Sequence, residues 1–357
     1  MSIVYANLYQ RAIKDTDVKK QLIAVAKVRR LLPALVIPTA ILTFTLAGGA
    51  LALSAGALTL LVSICLIAIA KIWAWYLSHD CAHNSVFRSK RINTFLGECL
   101  SALNGLSYFS FEEYRKDHNR HHSEKIDLAG FDSGRFFKRN PRLFEVVVLS
   151  EKLYLPSCYY VIKVSNVYGA IAGGGRRSAG RAIASSFFYG AIFTFFVWIS
   201  TKLIFAWLAS SIVRIHVVRF VDCFQHSYQQ VDPNTDGLGN DKLYEIQNTF
   251  SVPVARKLPF LNLFILNFGY HTAHHCFPTC PWYMLPTLEK LIVEKLKLQG
   301  EVVSLRERNY TFVQFLAAYH HNHLLRIVSE DEGQPYDPDG RFSIKNFTGA
   351  YTDKLLG

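Results

Sequence analysis

Apolar residues fall in long blocks separated by charged stretches. Leu32–Leu53 carries no ionisable group, and Gly56–Leu77 follows after a short link of small residues, interrupted only by Lys71. Runs of roughly 20 apolar residues match the hydrocarbon thickness of a bilayer. Each block therefore reads as a membrane span, and the uncharged link makes the pair a hairpin. A second hairpin is predicted over Ile183–Val221. Ile183–Ser200 is uncharged and rich in Phe, Leu203–Val213 continues it past Thr201 and Lys202, and Arg214 and Arg219 mark the far end. Lys71, beside Trp73, Trp75 and Tyr76, is expected to snorkel toward the interface. Phe95–Phe111 and Leu258–Tyr270 are too short or too polar for spans. They read as interfacial or re-entrant pieces, or as helices buried under a site.

The expected fold is an all-α integral membrane protein forming a single domain. Residues 1–31 precede the first hairpin (32–77), a region with interfacial helices follows (78–182), and the second hairpin (183–221) leads into a helical cap (222–357). Charge orients this arrangement. Residues 1–31 hold seven basic and two acidic side chains, 78–182 hold sixteen and ten, and the hairpin turns hold almost none besides Lys202. By the positive-inside rule both termini and the middle region are expected to be cytoplasmic, as in a bacterial inner membrane or an ER-like membrane. The net +12 is an excess of +15 before residue 220 less 3 after it. This argues against a basic surface for nucleic acid and for contact with anionic lipid. Residues 1–31 lack the apolar core and cleavage site of a signal peptide. The seven cysteines form no CxxC pair, which fits a reducing compartment.

The histidines carry the chemistry. His79 and His83 form HDCAH, His118, His121 and His122 form HNRHH, His271, His274 and His275 form HTAHH, and His226 stands alone in FQHSY. Offsets of three and four place side chains on one helix face, and two hairpins return all four groups to the same side. Imidazole suits Zn, Cu, Fe and Ni. Eight or nine rings are too many for one ion and fit two. Iron is the choice that also performs oxidative chemistry. Zinc hydrolysis with Asp80 or Glu113 as base stays open, as do a metal transporter and a haem-binding electron carrier. His216 is expected to be a hydrogen-bonded residue of the fourth span. His320, His321 and His323 lack an i,i+4 pair and are not expected to be ligands, and neither are Cys276 and Cys280. Asp80, Glu113, Asp117, Glu124 and Asp127 lie beside the boxes as acceptors for the second ring nitrogens, or as solvated carboxylates.

These motifs resemble the membrane fatty acid desaturases over residues 71–282. The matching words are HDCAHNSVF at His79, HNRHHS at His118, FQHS at Gln225 and NFGYHTAHHCFP at Asn267. The resemblance implies a non-haem centre of two iron ions that uses O2 and two supplied electrons to put a double bond into an acyl chain. Its ligands would be His79, His83, His118, His121, His122, His226, His271, His274 and His275. Asp80, Asp222 and Asn267 would be candidates to stand behind them. In acyl-CoA desaturases an Asn four residues before the lone His acts through water. Here that position is Asp222, which would orient His226 or pair with Arg219. An HxxxH first box and a third box that begins with His favour the acyl-lipid branch, and no fused cytochrome b5 is expected. The resemblance implies an acyl substrate carried on lipid, CoA or acyl carrier protein, and a ferredoxin-like or cytochrome b5-like electron donor. An apolar tunnel under the metals, lined by Phe95–Phe111 and the aromatic spans, would hold the chain. Hydroxylases, ketolases and acetylenases share the boxes and remain open as alternatives. Gly173–Arg177 reads as a lipid-facing anchor ahead of a headgroup grip, and Ser329–Phe342 as an irregular acidic surface segment.

Overall fold

The computed structural model describes residues 15–54, 56–128, 133–173, 175–226, 229–231, 245, 249–255, 258–297 and 312–322. Among these residues the chain runs through α1 (Thr16–Ala26), α2 (Leu31–Ala52), α3 (Ala57–Ala82), α4 (Lys90–Leu103), α5 (Phe111–Arg120), α6 (Ser133–Arg139), α7 (Pro141–Lys152), α8 (Ser157–Ala172), α9 (Arg176–Ile199), α10 (Thr201–Asp222), α11 (His271–Cys276), α12 (Leu285–Lys297) and α13 (Phe312–Asn322). To this all-α frame it adds one short parallel strand pair, β1 (Ile126–Leu128) and β2 (Gln229–Val231), with Ile126 opposite Gln229.

Helices α2, α3, α9 and α10 are long and apolar enough to cross a membrane. Leu32, Leu42, Leu46, Leu61, Phe187, Trp198 and Phe205 are exposed on them, as spans require when their outer solvent is lipid. Close approach within the first hairpin depends on Gly48. The Ser63 hydroxyl donates to its carbonyl at 2.6 Å, and a Cβ there would lie 2.6 Å from Ile67 Cγ1. Small residues and hydroxyl bonds at such crossings are the usual cement between membrane helices. In the second hairpin the chain breaks at Ser200 alone. Its extended backbone separates α9 from α10, and its hydroxyl caps the Lys202 amide. Lys202 Nζ reaches the Ser54 carbonyl at 3.2 Å, tying the two hairpin turns together.

Three features differ from the sequence reading. Helix α3 continues five residues past Leu77, and α9 starts seven residues before Ile183. At 1.5 Å per residue the 26 residues of α3 span about 39 Å, more than the roughly 30 Å of hydrocarbon. Helices do not stop at the interface, so His79 rides on the span helix itself. Lys71 does not snorkel. It is buried, with Nζ donating to Trp207 O at 2.8 Å and Ser211 Oγ at 2.6 Å and lying 3.8 Å from the centre of the Trp207 ring. Partners on the adjacent α10 are nearer than the interface.

The two short apolar stretches become surface-lying elements. Helix α4 exposes Ile92 and Phe95 and buries Asn93, Gly97 and Leu100. A 3-10 turn at Pro259–Ile265 exposes Phe260, Leu261, Leu263 and Phe264. Val18, Leu22 and Ala26 of α1 pack on Leu285, Leu288 and Ile292 of α12. The Arg30 amide donates to the Tyr283 hydroxyl at 2.7 Å. The N-terminal helix and the third histidine box thus share one end of the bundle. Ser329–Phe342, His323 and Gly174 lie outside the described residues.

Candidate metal centre

Box one sits where α3 outruns the bilayer, with His79 in the last turn and His83 as the C-cap. The helix stops because Asn84 adopts a left-handed φ of 54°. Its final carbonyls are satisfied by Arg115, whose Nε donates to Ala82 O at 3.1 Å and Nη2 to Cys81 O at 3.2 Å. A buried guanidinium is well suited there, since helix C-termini carry negative partial charge. Arg115 lies three residues before His118 on α5, so one side chain joins box one to box two.

Helix α5 begins with a reciprocal capping box between Ser110 and Glu113. At His121 it widens into a π-helical turn, His121–Lys125, a distortion often found at functional sites. Box two divides at this turn. His118 and His122 join His79, His83 and His274 in one group, while His121 joins His226 and His275 in another. Box three divides as well, with neighbouring His274 and His275 in different groups. His271 adjoins the second group, its Nε2 lying 2.6 Å from His226 Nε2.

The nitrogen spacings test whether metals fit. His83 Nε2 lies 2.7 Å from His118 Nε2, His122 Nε2 lies 3.2 Å from both His118 Nε2 and His274 Nε2, and His121 Nε2 lies 3.2 Å from His226 Nε2. Metal–nitrogen bonds of about 2.1 Å at right angles put neighbouring ligand atoms about 3 Å apart. Neither ring nitrogen of His79 has a close hydrogen-bond partner; a cation would satisfy Nε2, while Asp80 stands on the Nδ1 side. Burial, and then the neighbouring imidazoles, hold His83, His118, His122, His271, His274 and His275 well below the ordinary histidine range. The rings are therefore in the neutral form that metal binding needs. The eight histidines of the two adjoining groups, with His271 beside the second, could hold metal ions.

The groups behind the ligands take mixed roles. Asp80 Oδ2 accepts from the Trp282 amide at 2.9 Å, while Oδ1 lies 3.6 Å from His79 Nδ1. Asn267 donates to the Trp282 carbonyl at 3.3 Å. Both residues therefore clamp one peptide segment, fixing box three against box one. Asp222 lies near Tyr114, which stacks on His118, and Arg219 pairs with Glu151 at 3.0 Å. Burial and then Asp222 push the Tyr114 phenol up. Glu113 is spent on its capping box, and Glu124 pairs with Arg120 at 2.8 Å. The side chain of Asp127 lies outside the described residues. His216 is hydrogen-bonded to the Tyr319 hydroxyl and the Tyr154 carbonyl, and His320 meets the Tyr154 hydroxyl.

Glu245 was not visible to sequence reasoning. Buried, with Oε1 3.2 Å from His275 Nδ1, it also forms a potential ligand group with His122 and His275. Its segment, YEIQNTF, has no metal-ligand spacing to mark it. Phe268 backs the cluster, its ring 4.6 Å from that of His79 and 4.9 Å from that of His271.

Comparison with known proteins gives the same direction. The profile of the fatty acid desaturase family matches residues 55–306. A protein of Bacillus subtilis (strain 168) described as a fatty acid desaturase is 24% identical over 275 residues, covering 68% of this chain and 73% of that protein. The matched span holds the histidine boxes and the lone His226 together with three of the four membrane helices, and on that extent the chain belongs to the fatty acid desaturase family.

Proposed function

We propose that the chain is an O2-dependent acyl desaturase. In this reading the nine histidines hold two irons, with Glu245 behind or beside His275. Bound iron supplies the oxidising power that no side chain possesses. The overall change removes one hydrogen from each of two adjacent methylenes. With O2, two electrons and two protons it yields a double bond and two waters. The residues of the chain bind and orient. Buried neutral imidazoles fix two adjoining positions without adding negative charge, and Arg115 and the Trp282 clamp hold the boxes in register. Phe268 keeps the membrane side of the cluster apolar, where an acyl chain would lie. The observation that carries the reading is the pair of adjoining imidazole groups at the bilayer-emergent end of α3.

The acyl chain would come from the membrane on a lipid, CoA or carrier-protein handle, and the electrons from a ferredoxin-like or cytochrome b5-like donor. The cluster and both termini would face the cytoplasm. That orientation is supported by the distribution of Lys and Arg and by the packing of α1 on α12 at the histidine end. The test is lipid analysis of a host expressing the chain, by mass and double-bond position, with iron content measured on purified protein. Acyl chains two hydrogens lighter and two irons per chain are expected, and His274→Ala should abolish the product. Products one oxygen heavier would replace desaturation with hydroxylation. Zinc in iron-replete cells would overturn the di-iron reading.

A further inference from the structure

A half-open space lies away from the histidines. It is a cavity of about 580 Å³ between the end of α4 and helices α8, α9 and α10, and none of the nine histidines lines it. That volume is ordinary for a small-molecule site. Its outer wall is apolar, with Phe188 and Phe193 also exposed toward lipid.

The inner end is built differently. Arg214 is 2% exposed and donates through Nη2 to the Tyr159 hydroxyl at 3.0 Å, while its Nε is buried without a partner. Asn104, also buried, leaves both atoms of its side-chain amide unpartnered. Lys163 follows Tyr159 by one helical turn on α8. Its ammonium lies against Gly105, where a Cβ would come within 2.7 Å of Nζ and where φ is +77°. Lys71 stands behind the same wall, bonded to Trp207 and Ser211, which both line the cavity.

Charge completes the picture. The cationic neighbours of Lys71 are Arg214 and Lys163, and Arg214 also adjoins Lys163. Among the described residues no carboxylate faces the three cations. Lys71 and Arg214 sit 14 and 13 residues beyond the starts of their helices, about 20 Å from the hairpin turns and inside the hydrocarbon by helix rise. Cations at that depth are costly and normally have a counter-charge.

We propose that this cavity binds an anionic single-chain amphiphile. Its acidic head, a carboxylate or a phosphate, meets Arg214, Lys163 and Asn104, and its hydrocarbon chain runs past Phe188 and Phe193 into the bilayer.

The test uses the full chain in neutral phosphatidylcholine nanodiscs and three probes of equal chain length: palmitate, hexadecyl phosphate and hexadecanol. Saturable binding of an anion at one per chain is expected, at least tenfold tighter than hexadecanol. The tighter of the two anions identifies the source of the head. Arg214→Gln and Lys163→Gln should each weaken anion binding at least tenfold while leaving hexadecanol unchanged, and His274→Ala should have no effect. Should Arg214→Gln fail to fold, the partly exposed Lys163 and Asn104→Leu carry the comparison. Equal affinity for hexadecanol, anion binding that survives these substitutions, loss of binding in His274→Ala, or absence of saturable binding would each overturn the proposal.

Discussion

Arg115→Met removes the side chain that holds the end of α3. Two charge-assisted bonds to buried carbonyls are lost, each contributing about 1.5–3 kcal/mol, and the Cys81 and Ala82 carbonyls are left without those donors in a water-poor site. The ion pair to Glu112 adds little, because Glu112 is half exposed. Allowing for partial relaxation, the expected loss is about 3–5 kcal/mol, or a fall in melting temperature of roughly 6–15 °C at about 2–3 °C per kcal/mol. In the di-iron reading proposed above, iron content should fall too, since His79 and His83 ride on the loosened turn. Arg115→Lys should recover part of the loss, because an ammonium lacks the planar fork that serves both carbonyls. The control is Arg120→Met on the same helix, whose partly exposed pair with Glu124 should cost no more than about 1 kcal/mol. Melting is followed by tryptophan fluorescence on purified protein, with iron measured on the same samples. A variant that melts within about 2 °C of the native protein and keeps its full iron would refute this account of Arg115.

Glu245→Gln should weaken metal retention about 10–100-fold, the usual consequence of losing a carboxylate behind a ligand. Chelator competition measures it, and unchanged retention would detach Glu245 from the centre. The metal-stripped chain should be least stable in acid. The six strongly depressed histidines lie below the 6.5 of an ordinary histidine, so below that pH the unfolded chain binds more protons than the folded one. Their contribution is whole above about pH 6.5 and is lost as pH falls, by up to about 1.4 kcal/mol per pH unit for each ring. A melting temperature unchanged between pH 7.5 and 5.5 would contradict it. Gly48→Leu should drive a side chain into Ile67 and Ser63 and cost about 1–3 kcal/mol. Native-like melting of that variant would show that the first hairpin is not closely packed there.

The membrane spans were legible because hydrocarbon demands long uncharged runs, and a run reads directly from composition. Their ends were not, because α3 and α9 continue as helices into water once started. The charge of Lys71 was visible in the sequence but its direction was not, since Trp207 and Ser211 are brought to it by the packing of α3 against α10. The histidine boxes were legible through their spacing. Their division was hidden, because i,i+3 and i,i+4 spacing puts the rings of a box on one face without saying which of two adjoining groups each ring joins; box two divides at a π-helical turn and box three on an ordinary α-helix. Glu245 left no mark, because a carboxylate that meets one imidazole from a non-periodic segment has no spacing to display.

The ties that join the histidine segments are not themselves contacts between histidines. Box two is held to box one by Arg115 on backbone carbonyls, and box three to box one by Asp80 and Asn267 on the backbone of Trp282. The segment of His226 is held to box three by Gln225 Nε2 on Phe268 O at 3.1 Å. The Val252 amide bonds to the Gly269 carbonyl, where a Cβ on Gly269 would lie 2.5 Å from Val252 O and block the approach. Each tie uses a polar group with an obligatory backbone partner and needs no ion to form. The imidazoles are pressed together while neutral, so they do not repel one another as cations would. A bound metal would therefore share the work of holding the boxes together with these bonds, unlike small zinc modules in which the ion itself organises the chain. For the function proposed above, such ties would keep the ligand positions fixed while an apolar chain entered beneath them.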